Sequence, residues 1–293
     1  MKQILVLFIF SFAFFSCEKN IDFKLKDAAA LLVVDAQIEN GQVPTVALSK
    51  SLDYFGAISP QILANSFVRN AEVSMSNGTV IHLFKEYTVP LGNGYFIYYY
   101  SIDSANLATA FVGEFNKQYN LTIKVDGKIY TAKTTIPALT KIFDSLWTKL
   151  PPPNVDTSKR VLMARAIDPP GLGNYIRYFT KKNSERFLPG FNSVFNDEVI
   201  DGTTYQGQVD QGIDRNNTLP TGDDRFFTRG DTISFKLSNI DKATYTFWNT
   251  WEFNQQSIGN PFSQPGKVLG NISNGALGAF CGYASLVGTV IAR

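Results

Sequence analysis

Catalysis needs a nucleophile, a base, a metal cage or a pair of acids, and this chain is poorly supplied with each. His82 is the only histidine. It alternates with Val80 and Phe84 along a strand-like stretch, and neither a G-x-S-x-G elbow nor a Cys–His arrangement accompanies it, so it reads as structural. Without a His-x-x-x-His spacing or paired cysteines, the usual zinc sites are excluded. Asp210, Asp214, Asn216, Asn217, Asp223 and Asp224 offer enough oxygens for calcium but lack the D-x-D-x-D-G order of a dedicated loop. They read as Asx side chains capping turns in solvent. Asp197-Glu198 and Asp223-Asp224 are sequence neighbours, which on a strand point to opposite faces instead of flanking one glycosidic bond. Gly92-x-Gly94 and Gly171-x-Gly173 lack the third glycine and the strand-to-helix setting of a dinucleotide site. The expectation is a protein that is not an enzyme and has no catalytic residues, no metal and no cofactor.

Two resources remain, aromatic rings and one cysteine near the start. Tyr98, Tyr99 and Tyr100 follow Tyr95 and Phe96 in a strand whose side chains alternate between faces, so some of these rings should reach solvent. Trp248 and Trp251 fall at helical spacing with Thr244 and Phe247. Such a stripe is most simply core, and otherwise a platform for a sugar or a partner. These five residues are the candidate binding or interface set. Cys17 follows an apolar run, Ile4 to Phe15, that is too short for the roughly 20 residues of a membrane span and reads as a signal peptide over residues 1–16. Phe14-Phe15-Ser16-Cys17 resembles the lipobox of bacterial lipoproteins, in which a small residue precedes an acylated cysteine. Acyl chains such as palmitate on Cys17 would gain about 0.8 kcal/mol per buried methylene. This predicts an anchor in membrane lipid through Cys17, followed by a polar tether to residue 30. With residues 1–16 removed, Cys281 is the only other cysteine, so no intrachain disulfide is available and the fold must rest on its core.

The elements that must position these residues are mostly strands. A net charge of +2 provides no field for collecting phosphates, which argues against nucleic acid, and 44% hydrophobic residues exclude a disordered chain. Leu31 to Ile38 and Val43 to Leu48 flank Asn40-Gly41; Ala71 to Met75 and Val80 to Phe84 flank Asn77-Gly78; Tyr119 to Val125 and Ile129 to Ile136 flank Asp126-Gly127. Three hairpins are predicted, with Tyr95 to Ile102 as a further strand. Together they predict an immunoglobulin-like β-sandwich over residues 31–137. Gln61 to Arg69 fits a short helix and a loop equally. Pro151-Pro152-Pro153 marks a Pro-rich connector over residues 138–160. Residues 161–293 read as a second β-rich domain, with strands at Val161 to Ile167, Tyr175 to Thr180, Phe191 to Tyr205 and Asp231 to Leu237, and a long loop from Gly207 to Gly230. Its one helix, 241–256, starts at an Asp241 N-cap. Gly275, Gly278 and Gly282 in the last apolar segment predict close backbone packing under that helix.

The order of these pieces is similar to a family of Bacteroidetes lipoproteins known as domain of unknown function 4249. The resemblance rests on Cys17 with its charged tether, Leu32-Val33-Val34 to Glu39-Asn40-Gly41, Val112-Gly113-Glu114 to Tyr119, and Asp168-Pro169-Pro170-Gly171 with Asn174-Tyr175 and Arg177-Tyr178. It continues through Ile240-Asp241-Lys242-Ala243-Thr244-Tyr245, Phe247-Trp248, Gly259-Asn260-Pro261-Phe262 and Gly275-Ala276-Leu277-Gly278. The resemblance implies location in the outer membrane and a partner such as a TonB-dependent transporter or another outer-membrane β-barrel, and it carries no catalytic residues over. The expected function is therefore that of a non-enzymatic, lipid-anchored accessory protein. Capture of a glycan or peptide nutrient, or a structural role in an assembly or secretion complex, are the alternatives.

Overall fold

The computed structural model describes residues 29–52, 59–153, 156–215, 217, 225–257 and 266–293. Cys17, Asp223, Asp224, Asn216 and the Gly259 to Phe262 motif lie outside the described residues. The chain is mainly β, with fifteen strands and two α-helices among the described residues.

The first half follows the predicted hairpins. β1 (Leu32–Glu39) and β2 (Thr45–Lys50) pair antiparallel, as do β3 (Glu72–Ser76) with β4 (Ile81–Gly92), β4 with β5 (Tyr95–Ile102), and β6 (Lys117–Val125) with β7 (Lys128–Ile136). At the β6–β7 turn, Asp126 and Gly127 take φ of 50° and 71°, the left-handed pair that a two-residue hairpin turn demands. The Asn77-Gly78 turn is built differently. Its last strand pair is Ser76 with Ile81, and the Asn77 side chain holds the longer loop by accepting from the Thr79 and Val80 N–H groups. The undecided segment contains α1 (Pro60–Ser66), with Ser59 Oγ accepting from Ile62 N at 3.2 Å as its N-cap.

The expected connector carries structure of its own. β8 (Ile142–Lys149) pairs antiparallel with β9 (Lys159–Ile167), and a bulge between Phe143 and Ser145 breaks the alternation that would have marked it in the sequence. β10 (Tyr175–Lys182) and β11 (Leu188–Phe195) follow. Where one strand, Phe191 to Tyr205, was expected, β11 ends at Phe195 and a turn leads to β12 (Thr204–Val209), which takes the first residues of the expected loop. β13 (Phe227–Thr228), β14 (Thr232–Ile240), α2 (Lys242–Ser257) and β15 (Leu277–Ile291) complete the fold.

β15 binds the two halves together. It lies between β14, antiparallel, and β1, parallel, in an eleven-stranded sheet of order β11-β10-β14-β15-β1-β2-β5-β4-β3-β6-β7. The sandwich expected over residues 31–137 thus takes Phe280 and Ala284 of β15 into its core, beside Val34, Ala36 and Ile38 of β1 and Met75, Leu121 and Ile123 of the far strands. The sheet curls so that β7 covers β15. Gly282 permits this approach, because a Cβ there would stand 2.6 Å from the Thr135 carbonyl oxygen. The close packing predicted for this segment is therefore against β7 at Gly282. A smaller sheet of β8, β9, β12 and β13 covers the other end, over a second core that includes Leu162, Phe227, Ile233, Phe235 and Leu237.

Period-two alternation gives the central strands two faces. Val34, Ile176, Tyr178, Leu237 and Phe280 face the interlayer cores, here the inner face. Asp35, Gln37, Arg177, Phe179, Cys281 and Tyr283 face the opposite side, the outer face, where α2 packs.

Candidate functional site

α2 is fixed to the outer face by its first residue. Asp241 Oδ1 accepts from Thr244 N at 2.8 Å as the predicted N-cap, while Oδ2 accepts from Thr135 N at 2.8 Å and Thr134 Oγ1 at 3.1 Å on β7. The helix buries Thr244, Phe247, Glu252 and Ser257. Trp248 and Trp251 stand edge to face with ring centroids 5.6 Å apart, half-buried, over a cleft of about 590 Å³ between α2, β1, β10, β15 and the stretches around 186–189 and 213–215.

A polar network holds the wall of this cleft. Arg177, buried on β10, lays its guanidinium 3.4 Å from the Trp248 ring centre, donates from Nε to Ser193 Oγ at 3.0 Å and from a terminal nitrogen to Tyr283 Oη at 3.2 Å. Tyr283 Oη also accepts from Trp248 Nε1 at 2.9 Å. Ser193 in turn donates its N–H and hydroxyl to the buried Glu252 carboxylate, which Arg215 approaches at 3.5 Å while stacking on Trp251. Arg186 pairs with Asp214 at 2.8 Å. Burial works against the Arg215 charge and Glu252 works to keep it.

On the cleft floor stands Asp35. It projects from β1 beside Gln37, remains open to solvent, and accepts no hydrogen bond among the described residues. The crowding of surrounding atoms raises its pKa, with the Arg177 charge opposing that rise. A carboxylate that solvent reaches but protein does not satisfy is free to meet a ligand's hydroxyl, amide or amine. Neighbouring Cys281 is fully buried and its thiol is pushed up to about 12 by burial, so it stays protonated and inert.

The other sequence candidates sit elsewhere. Tyr100 is core, 1% exposed, and its hydroxyl is consumed by Ala71 N, Val68 O and Glu86 Oε2, so it offers no binding surface. Tyr98 is half-buried under the Arg69 guanidinium, and Tyr99 stacks on Tyr87 at 5.5 Å. None of the three lines the cleft under α2. His82 is buried. Its Nε2 accepts from Asp103 N at 2.9 Å, which places the proton on Nδ1, facing Thr109 Oγ1 at 2.9 Å; burial lowers its pKa and keeps it neutral.

Among the described residues one acidic group draws together, Asp168, Asp197 and Asp201, with ligand oxygens within 4.8 Å of one another. Its charge is already answered within the protein. The fully buried Lys141 ammonium lies 2.8 Å from Asp168 Oδ1, an ionic contact without an aligned hydrogen bond. Asp197 accepts from Gly173 N and Asn174 N, Asp201 from Gly171 N, and Asp168 Oδ2 from Gly202 N. These carboxylates fasten the Asp168-Pro169-Pro170-Gly171 turn to the turn before β12. Of the loop considered for calcium, Asp210 takes Gln208 and Asp214 takes Arg186.

Residues 18–287 match the family model described as Domain of unknown function (DUF4249). The chain belongs to that family. The match spans both halves of the DUF4249 chain, the cleft under α2 and most of the strand β15 that unites them. No curated protein matches the chain. Sequence reasoning found Trp248 and Trp251 but missed Asp35, Arg177 and Glu252. The available signal was Asp35 and Gln37 at period two inside an otherwise apolar strand.

Proposed function

We propose that this DUF4249 protein is a non-enzymatic, lipid-anchored accessory protein of the outer membrane, which captures a small polar ligand in the cleft under α2 for a TonB-dependent transporter or another outer-membrane β-barrel. The observation that carries the capture step is Asp35, a solvent-reachable carboxylate without a hydrogen-bond partner among the described residues, beneath Trp248 and Trp251. In the cleft Arg186 is matched by Asp214, Arg215 by Glu252, and the Arg177 charge acts on Asp35, so a neutral hydroxyl- or amide-rich molecule leaves the charge balance unchanged. A glycan or short peptide meets that description. The anchor and the barrel partner rest on the Cys17 pattern and the family resemblance.

Purification of the native chain from detergent-solubilised membranes tests the anchor and the partner. Acylated Cys17 and a co-eluting β-barrel are expected; an unmodified thiol on a lone aqueous monomer would sink both. Tryptophan fluorescence tests capture. A mixed-oligosaccharide hydrolysate or a casein digest should quench it saturably in the parent, and Trp251→Ala and Asp35→Asn should each abolish the effect.

A further inference from the structure

One residue along β10 from Arg177, Tyr178 points to the inner face and into a second cavity, also of about 590 Å³. It lies between β10 and β14 on one side and β9 and β12 on the other, and it opens between the edge strands β11 and β12. Its origin is missing side-chain volume. At one end of this interlayer space Leu162, Phe227 and Ile233 fill the core, whereas at the other the facing positions are Ala164, Ala166 and Gly207.

The walls state what would fill it. Ile176, Phe235 and Leu237 are apolar, and the rim exposes Phe191, Phe195 and, at 94%, Val199. Tyr178 is half-buried, and its hydroxyl makes no hydrogen bond to protein among the described residues, so it is left to bond whatever occupies the cavity. Burial first, then the Asp210 and Glu252 charges, keep its proton in place, so it is available as a donor. Gly190 makes room for it, since a Cβ there would collide with that hydroxyl. Glu252 is matched by Arg215, but Asp210 lines the cavity and, among the described residues, no Lys or Arg does, so an anion is disfavoured there.

We propose that this cavity binds a neutral lipid-like molecule, its apolar body held between the two sheets and one uncharged oxygen, from an ester, amide or ether, accepting from Tyr178 Oη. This site does not depend on the outer cleft or on the capture reading.

The test is calorimetric titration of the whole chain carrying Cys17→Ser, which keeps detergent out, with 1-monolauroylglycerol and with laurate, each below its micelle concentration. Saturable one-to-one binding of the monoglyceride is expected, with laurate at least about tenfold weaker because Asp210 lines the cavity and no described basic side chain does. Tyr178→Phe should weaken the monoglyceride about fivefold to tenfold, the worth of one hydrogen bond. Ala164→Phe should abolish binding by filling the space, with circular dichroism confirming the fold; if that variant unfolds, Ala166→Leu should weaken binding instead. Absence of saturable heat, laurate binding as tightly as the monoglyceride, an unchanged Tyr178→Phe, or tight binding in a folded cavity-filled variant would each overturn the proposal. Failure of the capture reading would appear separately, in the tryptophan signal.

Discussion

Arg177 and Tyr178 are adjacent on β10, and alternation sends them into two cavities of similar size on opposite faces of one sheet. The outer cleft is bounded by charges that hold one another in place, with Arg177, Ser193, Glu252 and Arg215 forming a chain of hydrogen bonds against Trp248 and Trp251. The inner cavity is bounded by apolar side chains and exists because Ala164, Ala166 and Gly207 stand where larger residues would close it. A concave site can therefore be made by bracing a wall or by leaving volume out, and the two constructions should respond oppositely to mutation.

The largest expected effect is in the braced wall. Glu252→Ala leaves the Ser193 N–H and hydroxyl without their acceptor and the Arg215 charge without its counter-charge, and should cost about 3–5 kcal/mol in urea unfolding. A loss below about 1 kcal/mol would mean that water replaces the network. Next comes Phe235→Ala on the inner face, where the ring packs on Phe143 at 5.0 Å; about 3 kcal/mol should be lost, the low end for such a change because the neighbouring cavity already admits solvent. Ala166→Leu should move in the other direction, gaining about 0.5–1.5 kcal/mol by filling space, and a destabilised variant would show that the cavity is not free volume.

The smallest effect is a change of slope. The crowding of atoms around the cleft floor raises the Asp35 pKa above its ordinary 3.8, so the folded protein binds the proton more tightly than the unfolded chain. Stability from this group is present below 3.8 and is lost as pH rises toward the raised value, because the charged form is the one that the site disfavours. Asp35→Asn should flatten the stability profile across that window and leave the protein more stable at neutral pH. A profile that parallels the parent would place Asp35 in an ordinary solvated environment.

Local patterns were legible in the sequence because they depend on neighbours. The Asp126-Gly127 turn, the Asp241 cap and the strand Tyr95 to Ile102 each follow from a few adjacent residues. What escaped depends on residues far apart. β8 hid behind its bulge, and β15 was legible as an apolar glycine-bearing stretch but not as the neighbour of β1, some 245 residues earlier by the Asn40 to Ser285 contact. The site suffered the same limit. Trp248 and Trp251 stood out by type and spacing, whereas Asp35 becomes notable only when α2 and β10 enclose it. Tyr100 misled because a ring at the end of an exposed-looking run can still turn inward and spend its hydroxyl on the backbone.

The position of residues 277–291 also dictates the order of events during biogenesis. Because β15 is wedged between β14 and β1, the earliest strand cannot acquire its parallel neighbour until all of the chain between them has been made. Until β15 arrives, β1 keeps an unpaired edge on that side, and its insertion joins both halves in one step.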